Sequence, residues 1–147
     1  YKKLLEYLTN EEAESIGEEA ICRILDVFYV SFGGDSIVAQ NIMSNAENLL
    51  QILTSYLPDI PIMESKFGQW PPFSKKVLIK VMICFCNLAC CENFSFPAIK
   101  YSIIDWCITY SKHPDHEVQK EVSIFLYNIS SVASDEQLEI LLEKNML

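Results

Sequence analysis

"PDHEVQKEVSIFLYNISSV", residues 114–132, opens as a turn and continues as one amphipathic helix. Asp115 stands where a helix N-cap belongs, just ahead of the first apolar position. Val118, Val122, Leu126 and Ile129 then recur at steps of four, four and three, the stripe of a 3.6-residue period. Asn128 lies off that stripe. An amide there has no part in burying the apolar face, so its presence asks for a hydrogen-bonding partner elsewhere.

Working outward, the same pattern returns. Shifted back by 41, the stripe falls on Val77, Val81, Phe85 and Leu88; shifted back by 102, on Ile16, Ala20, Ile24 and Val27. All are apolar. The two shifts differ by 61, and an inserted loop around Trp70 accounts for the excess. Turn and cap signals fill in the rest. Ser15-Ile16-Gly17-Glu18 resembles a capping box for a helix that Gly33-Gly34 stops, and a short helix follows over 36–43. Asn45 caps a helix ending at Pro58, and Ser74 caps a long one to Cys91. Pro97 suits the first turn of a helix reaching Lys112. His113 to Asp115 form a turn, and Ser134 with Gln137 makes a second capping box before a last helix ending near Asn145. No strand pattern survives.

A helical repeat of about 40 residues is the signature of armadillo or HEAT units, each of which leaves a hydrophobic face for its neighbours to cover. The expectation is therefore all-α: a right-handed armadillo-type helical solenoid of about three repeats, part of a longer array. The chain of 147 residues is one domain, 1–147, with repeats near 1–43, 44–96 (carrying the inserted loop 58–73) and 97–147.

Composition narrows the function. Half of the residues are hydrophobic and 21% are charged, which excludes disorder. A net charge of −9 argues against a phosphate-binding surface, and so against nucleic acid; it suits a basic partner. No apolar run approaches the roughly 20 residues a membrane span needs, and the first residues, "YKKLLEYLTN", lack a signal peptide's apolar centre and cleavage site, so no membrane is expected and the place is expected to be cytoplasm, nucleus or both. The six cysteines include the run "CFCNLACC" at 84–91, whose spacing suits neither a disulfide framework nor a metal site; buried, reduced packing is the expectation. No phosphate loop, nucleophile elbow or zinc motif is present, so neither catalysis nor a cofactor is expected. His113 and His116 read as exposed turn residues and Trp106 as core.

"HEVQKEVSIFLYNISSVASDEQLEILLEKNML" resembles an armadillo repeat of the importin-α type, and "VLIKVMICFCNLACCENFSFPAIKYSIIDWCITYSKHPD" resembles the stretch that precedes one. The shared pattern is Glu followed by Val or Ala, an Asn six residues after it, and a Gln in the following short helix. The resemblance implies a groove for an extended, basic, nuclear-localisation-type peptide, handed on to a transport carrier in nuclear import. In that family asparagines hold the peptide backbone, tryptophans one turn earlier sandwich lysine stems and acidic residues receive the ammonium groups. Asn87 and Asn128 match the asparagine positions, with Asp26 as their counterpart in the first repeat. Ile83 and Ile124 occupy the tryptophan positions and Cys22 the first-repeat one, which removes a cation–π attraction of about 0.5–2 kcal/mol per site. Glu19 and Glu121 stand at acidic positions and would attract a basic ligand, whereas Lys80 would repel it. The alternative is an armadillo scaffold for a folded protein or helix, engaging another surface such as the loop of Phe67 and Trp70.

Overall fold

The computed structural model describes residues 4, 6–8, 16–33, 47–57, 75–91 and 94–143. Seven helices stand among these: α1 (Glu18–Gly33), α2 (Glu47–Ser55), α3 (Lys75–Leu88), α4 (Ser95–Lys100), α5 (Ile103–Tyr110), α6 (His116–Val132) and α7 (Asp135–Glu143). The described chain is all-α, without strands. The expected helix over 36–43 and the loop 58–73, with Phe67 and Trp70, lie outside the described residues.

The local starts are those the side chains dictate. Asp115 caps α6, its carboxylate accepting from the N–H groups of Glu117 and Val118. Ser134 and Gln137 form the reciprocal pair ahead of α7: Gln137 Oε1 accepts from Ser134 N–H at 2.9 Å, and Ser134 Oγ from Gln137 N–H at 3.4 Å. The expected helix from Pro97 to Lys112 is instead two. Ser102 adopts a left-handed conformation, φ 56°, between α4 and α5. Such a residue ends one helical run and re-aims the next, at about 1–2 kcal/mol for a residue with a Cβ.

α3 is the central helix, packed against α1 on one side and α6 on the other. A helix with two neighbours must be apolar on more than one face. Val77, Leu78, Val81, Met82, Cys84, Phe85, Cys86 and Leu88 are all buried. Beneath it Phe85, Phe94 and Phe125 form an aromatic chain, with centroid separations of 6.5 and 6.4 Å and the second contact edge-on at 83°.

The apolar stripes differ from expectation in two places. In α6 the buried set is Val118, Val122, Phe125 and Ile129, with Leu126 only half-buried. In α1 it is Ile21, Cys22, Leu25, Phe28 and Phe32, whereas Val27 is 50% exposed. Shifted back by 97, not 102, the α6 set falls on Ile21, Leu25, Phe28 and Phe32. The physical reason lies in composition: between Ile21 and Phe32 apolar residues occupy so many positions that several stripes are available, and only the neighbour decides which is covered.

His113 corrects a second expectation. It is 5% exposed, stacked on Tyr110, rather than a solvated turn residue. Trp106 is core, as its setting implied.

The cysteines pack as buried thiols, apart from the exposed Cys90. Cys84 Sγ donates to Leu25 O at 3.5 Å and Cys86 Sγ to Glu121 O at 3.2 Å, so two of them tie α3 to its neighbours. Burial pushes the thiols of Cys84 and Cys86 up to about 12. Among the described residues no group of three or more His, Cys, Asp and Glu is placed to hold a metal ion, and no helix is long and apolar enough to cross a membrane.

Candidate binding face

Residues spaced by three and four share one side of a helix. On α3 that side carries Lys76, Lys80, Ile83 and Asn87; on α6, Glu117, Glu121, Ile124 and Asn128. Side-chain bonds link these stripes to one another and to α1. Lys76 Nζ pairs with Glu19 at 2.7 Å, and Lys80 Nζ pairs with Asp26. Asn87 Nδ2 donates to Tyr29 O at 3.0 Å, and Asn128 Nδ2 to Cys86 O at 3.0 Å.

The two amides therefore do the same thing on successive helices. Each reaches back to a carbonyl near the C-terminal end of the preceding long helix. At the end of α3 the Cys90 N–H bonds Asn87 O, and Cys86 O takes the Asn128 amide together with the Cys90 thiol at 3.6 Å. That is the partner the off-stripe amide asks for. Asn128 reaches the residue just before Asn87, and Asn87 the residue just before Val30. The 97-residue shift of the buried stripes sets Ser31 opposite Asn128, next to Val30, which is 67% exposed; the sequence reading assigned that place to Asp26.

Gly33 belongs to the same arrangement. A Cβ on it would lie 2.9 Å from Asn87 Nδ2 and 3.7 Å from its Cγ, so the amide occupies the space a side chain would need.

The acidic residues expected to meet a ligand are engaged within the fold. Glu19, on the exposed surface, accepts from Lys76 and lies 3.5 Å from Arg23 Nε. The Lys76 hydrogen bond and charge, then Arg23, hold its carboxyl below the ordinary value. Asp26 is taken by Lys80, the residue expected to repel a basic peptide. Glu121 is buried at 7% exposure, and its carboxylate meets Lys120 of its own helix at 3.2 Å. At the near end Lys75 bridges Asp115 at 2.6 Å and Glu117 at 3.0 Å.

The face thus has two halves. Towards the helix N-termini it is a lattice of ion pairs. Towards the C-termini it is apolar: half-buried Ile83 on α3 and Ile124, 37% exposed, on α6 lie beside the amides of Asn87 and Asn128, and the flanking helices expose Val27 and Val30 on α1 and Tyr127, at 73%, on α6. Cys22, placed with the isoleucines by the sequence register, is 3% exposed and lies beneath this surface. Sequence reasoning missed Val27, Val30, Gly33 and Tyr127. For Tyr127 a signal existed, an aromatic residue off the stripe beside Asn128. Compared with models of protein families, with curated proteins and with solved structures, the chain finds no match.

Proposed function

We propose that this chain is a non-enzymatic protein-binding scaffold, built as an armadillo-type helical array, that takes its ligand across the apolar half of the α1–α3–α6 face. The side-by-side packing of three long helices, with equivalent amide bonds between successive pairs, supports an array of repeating units. The observation that carries the binding reading is the exposure of large apolar side chains, Val27 and Val30 on α1 and Ile124 and Tyr127 on α6, on the two helices that flank Ile83 and the amides. Solvated apolar groups collected on one surface favour burial against a partner. An amide that has used one N–H still offers a carbonyl oxygen and a second N–H, enough to meet a backbone laid across it.

The ligand that fits is a peptide segment with uncharged, apolar side chains. A lysine-rich segment would have to displace Lys76 from Glu19 and Lys80 from Asp26 before meeting either carboxylate. The importin-α-like reading, a basic nuclear-localisation peptide held for import, draws on the amide pair and asks for that exchange as well.

Peptide-display selection on the folded chain separates the two. Apolar sequences should be enriched, with binding insensitive to salt and lost in Tyr127→Ala, an exposed position whose truncation leaves the core intact. Enrichment of basic sequences whose binding falls as salt rises would favour the import reading instead. Binding of either kind that is indifferent to Tyr127→Ala would remove this face from the account.

A further inference from the structure

The end of α5 closes on the start of α6 through a stack of three rings. Trp106 and Tyr110 lie 3.9 Å apart at 15°, and Tyr110 and His113 5.1 Å apart at 10°. His113 Nδ1 accepts a 3.0 Å hydrogen bond from the Asp115 N–H. A nitrogen that accepts carries no proton, so the ring is the neutral tautomer with its hydrogen on Nε2. Asp115 is the cap of α6, and its carboxylate is gripped by Lys75, the first residue of α3. One imidazole lone pair therefore fixes the residue at which three helices meet.

We propose that the His113 turn is an acid-released latch: protonation of Nδ1 removes the acceptor for the Asp115 N–H and uncouples the start of α6 from the end of α5. The added proton would set one N–H against another and bring a charge into a buried site. Among the described residues the groups that face the ring include Tyr110 on α5, Asp115 at the cap of α6 and Lys75 on α3, the last also holding Glu117. Burial pushes the Tyr110 phenol up to about 12, so it stays neutral. Asp115 favours the imidazolium and Lys75 opposes it, but burial is the largest influence and holds His113 below its ordinary 6.5. Because the folded value is lowered, stability is complete above pH 6.5 and is lost as pH falls below it towards the folded value. The Asp115 carboxyl, held below 3.8 chiefly by the Lys75 hydrogen bond, does not titrate in that window. The helix that the latch holds bears Ile124, Tyr127 and Asn128, so the consequence is acid control over the exposed face, whatever binds there.

The test uses the whole chain carrying His116→Ala, which leaves His113 as the one imidazole, since the sequence has 2 histidines. Its NMR titration from roughly pH 8 to roughly pH 5 should give a midpoint below the ordinary histidine value of about 6.5. Hydrogen-exchange protection at the Asp115, Glu117 and Val118 amides should fall by up to about tenfold per pH unit below that value, one proton's worth, while Val81 in α3 holds. His113→Asn supplies a non-titrating acceptor near Nδ1 and should abolish the pH dependence at those amides. A midpoint at or above 6.5, unchanged protection, or the same acid loss in His113→Asn would each overturn the latch. Should His113→Asn fail to fold, the titration and exchange of the chain with its native His113 decide alone.

Discussion

Gly33→Ala tests the interlocking of α1 and α3 at its closest point. In isolation, alanine for glycine in a helix stabilises by about 0.5–1 kcal/mol through backbone entropy, and somewhat less at a terminal residue such as this one. Here the new Cβ would sit 2.9 Å from Asn87 Nδ2, too close to coexist with the amide's 3.0 Å bond to Tyr29 O. Turning the amide away gives up a hydrogen bond worth about 0.5–1.5 kcal/mol net. The single substitution should therefore be neutral or mildly destabilising. In an Asn87→Ala background the obstacle is gone, and Gly33→Ala should stabilise by up to about 1 kcal/mol. The double-mutant cycle should then show a coupling of about 1 kcal/mol between the two positions. Urea denaturation followed by circular dichroism of the four proteins measures it. A stabilisation by Gly33→Ala that is the same in both backgrounds, within about 0.3 kcal/mol, would refute the claim that the amide needs that space.

Other expectations follow from single contacts. Phe125→Ala empties a fully buried site between α3 and Phe94 and should lose about 3–5 kcal/mol in the same urea melt, a large share of the roughly 5–15 kcal/mol of a whole domain. A native-state thiol titration with an aromatic disulfide reagent near pH 8, roughly the range where an ordinary thiol begins to ionise, should show one fast cysteine, Cys90, with the other thiols reacting only in denaturant. Asp115 and Glu19 have lowered folded values, so their contribution is present above pH 3.8 and 4.5 respectively and fades as pH falls through the folded values beneath; Asp115→Asn should flatten the acid limb of a Tm-against-pH curve. Lys76→Ala with Lys80→Ala frees Asp26 from Lys80 and leaves Glu19 with Arg23 alone, and should raise affinity for a lysine-rich peptide in fluorescence polarisation at low salt; no gain would mean that pairing with these lysines is not what masks those carboxylates.

The helices around this face were legible because their signals are local. Asp115 before Val118, and Ser134 three residues before Gln137, are caps that act within one turn, and both are made. The off-stripe positions of Asn87 and Asn128 were legible as well, because periodicity assigns a side even when it cannot name the partner. The partner was not legible. Whether an amide meets a ligand or a carbonyl on the next helix depends on how closely two helices approach, and that distance leaves no trace in either helix's own pattern.

The register of α1 shows the same boundary from the other side. Apolar residues at nearly every position from Ile21 to Phe32 determine that a helix there will be buried, but leave open which stripe α3 covers. Packing against α3, where Cys84 Sγ meets Leu25 O, settled it, leaving Val27 and Val30 exposed. Charge followed from that choice: Glu19 and Asp26 were brought opposite Lys76 and Lys80 and paired, while Glu121 was turned inward. What the amino-acid order determined by itself is the all-helical class, the caps at Asp115 and Ser134 and the periodic faces, since each depends on neighbours within about four residues. The partners of Asn87, Asn128, Lys76 and Lys80 were decided by tertiary structure, because hydrogen bonds and ion pairs act over about 3 Å between atoms some 40 to 60 residues apart in the chain.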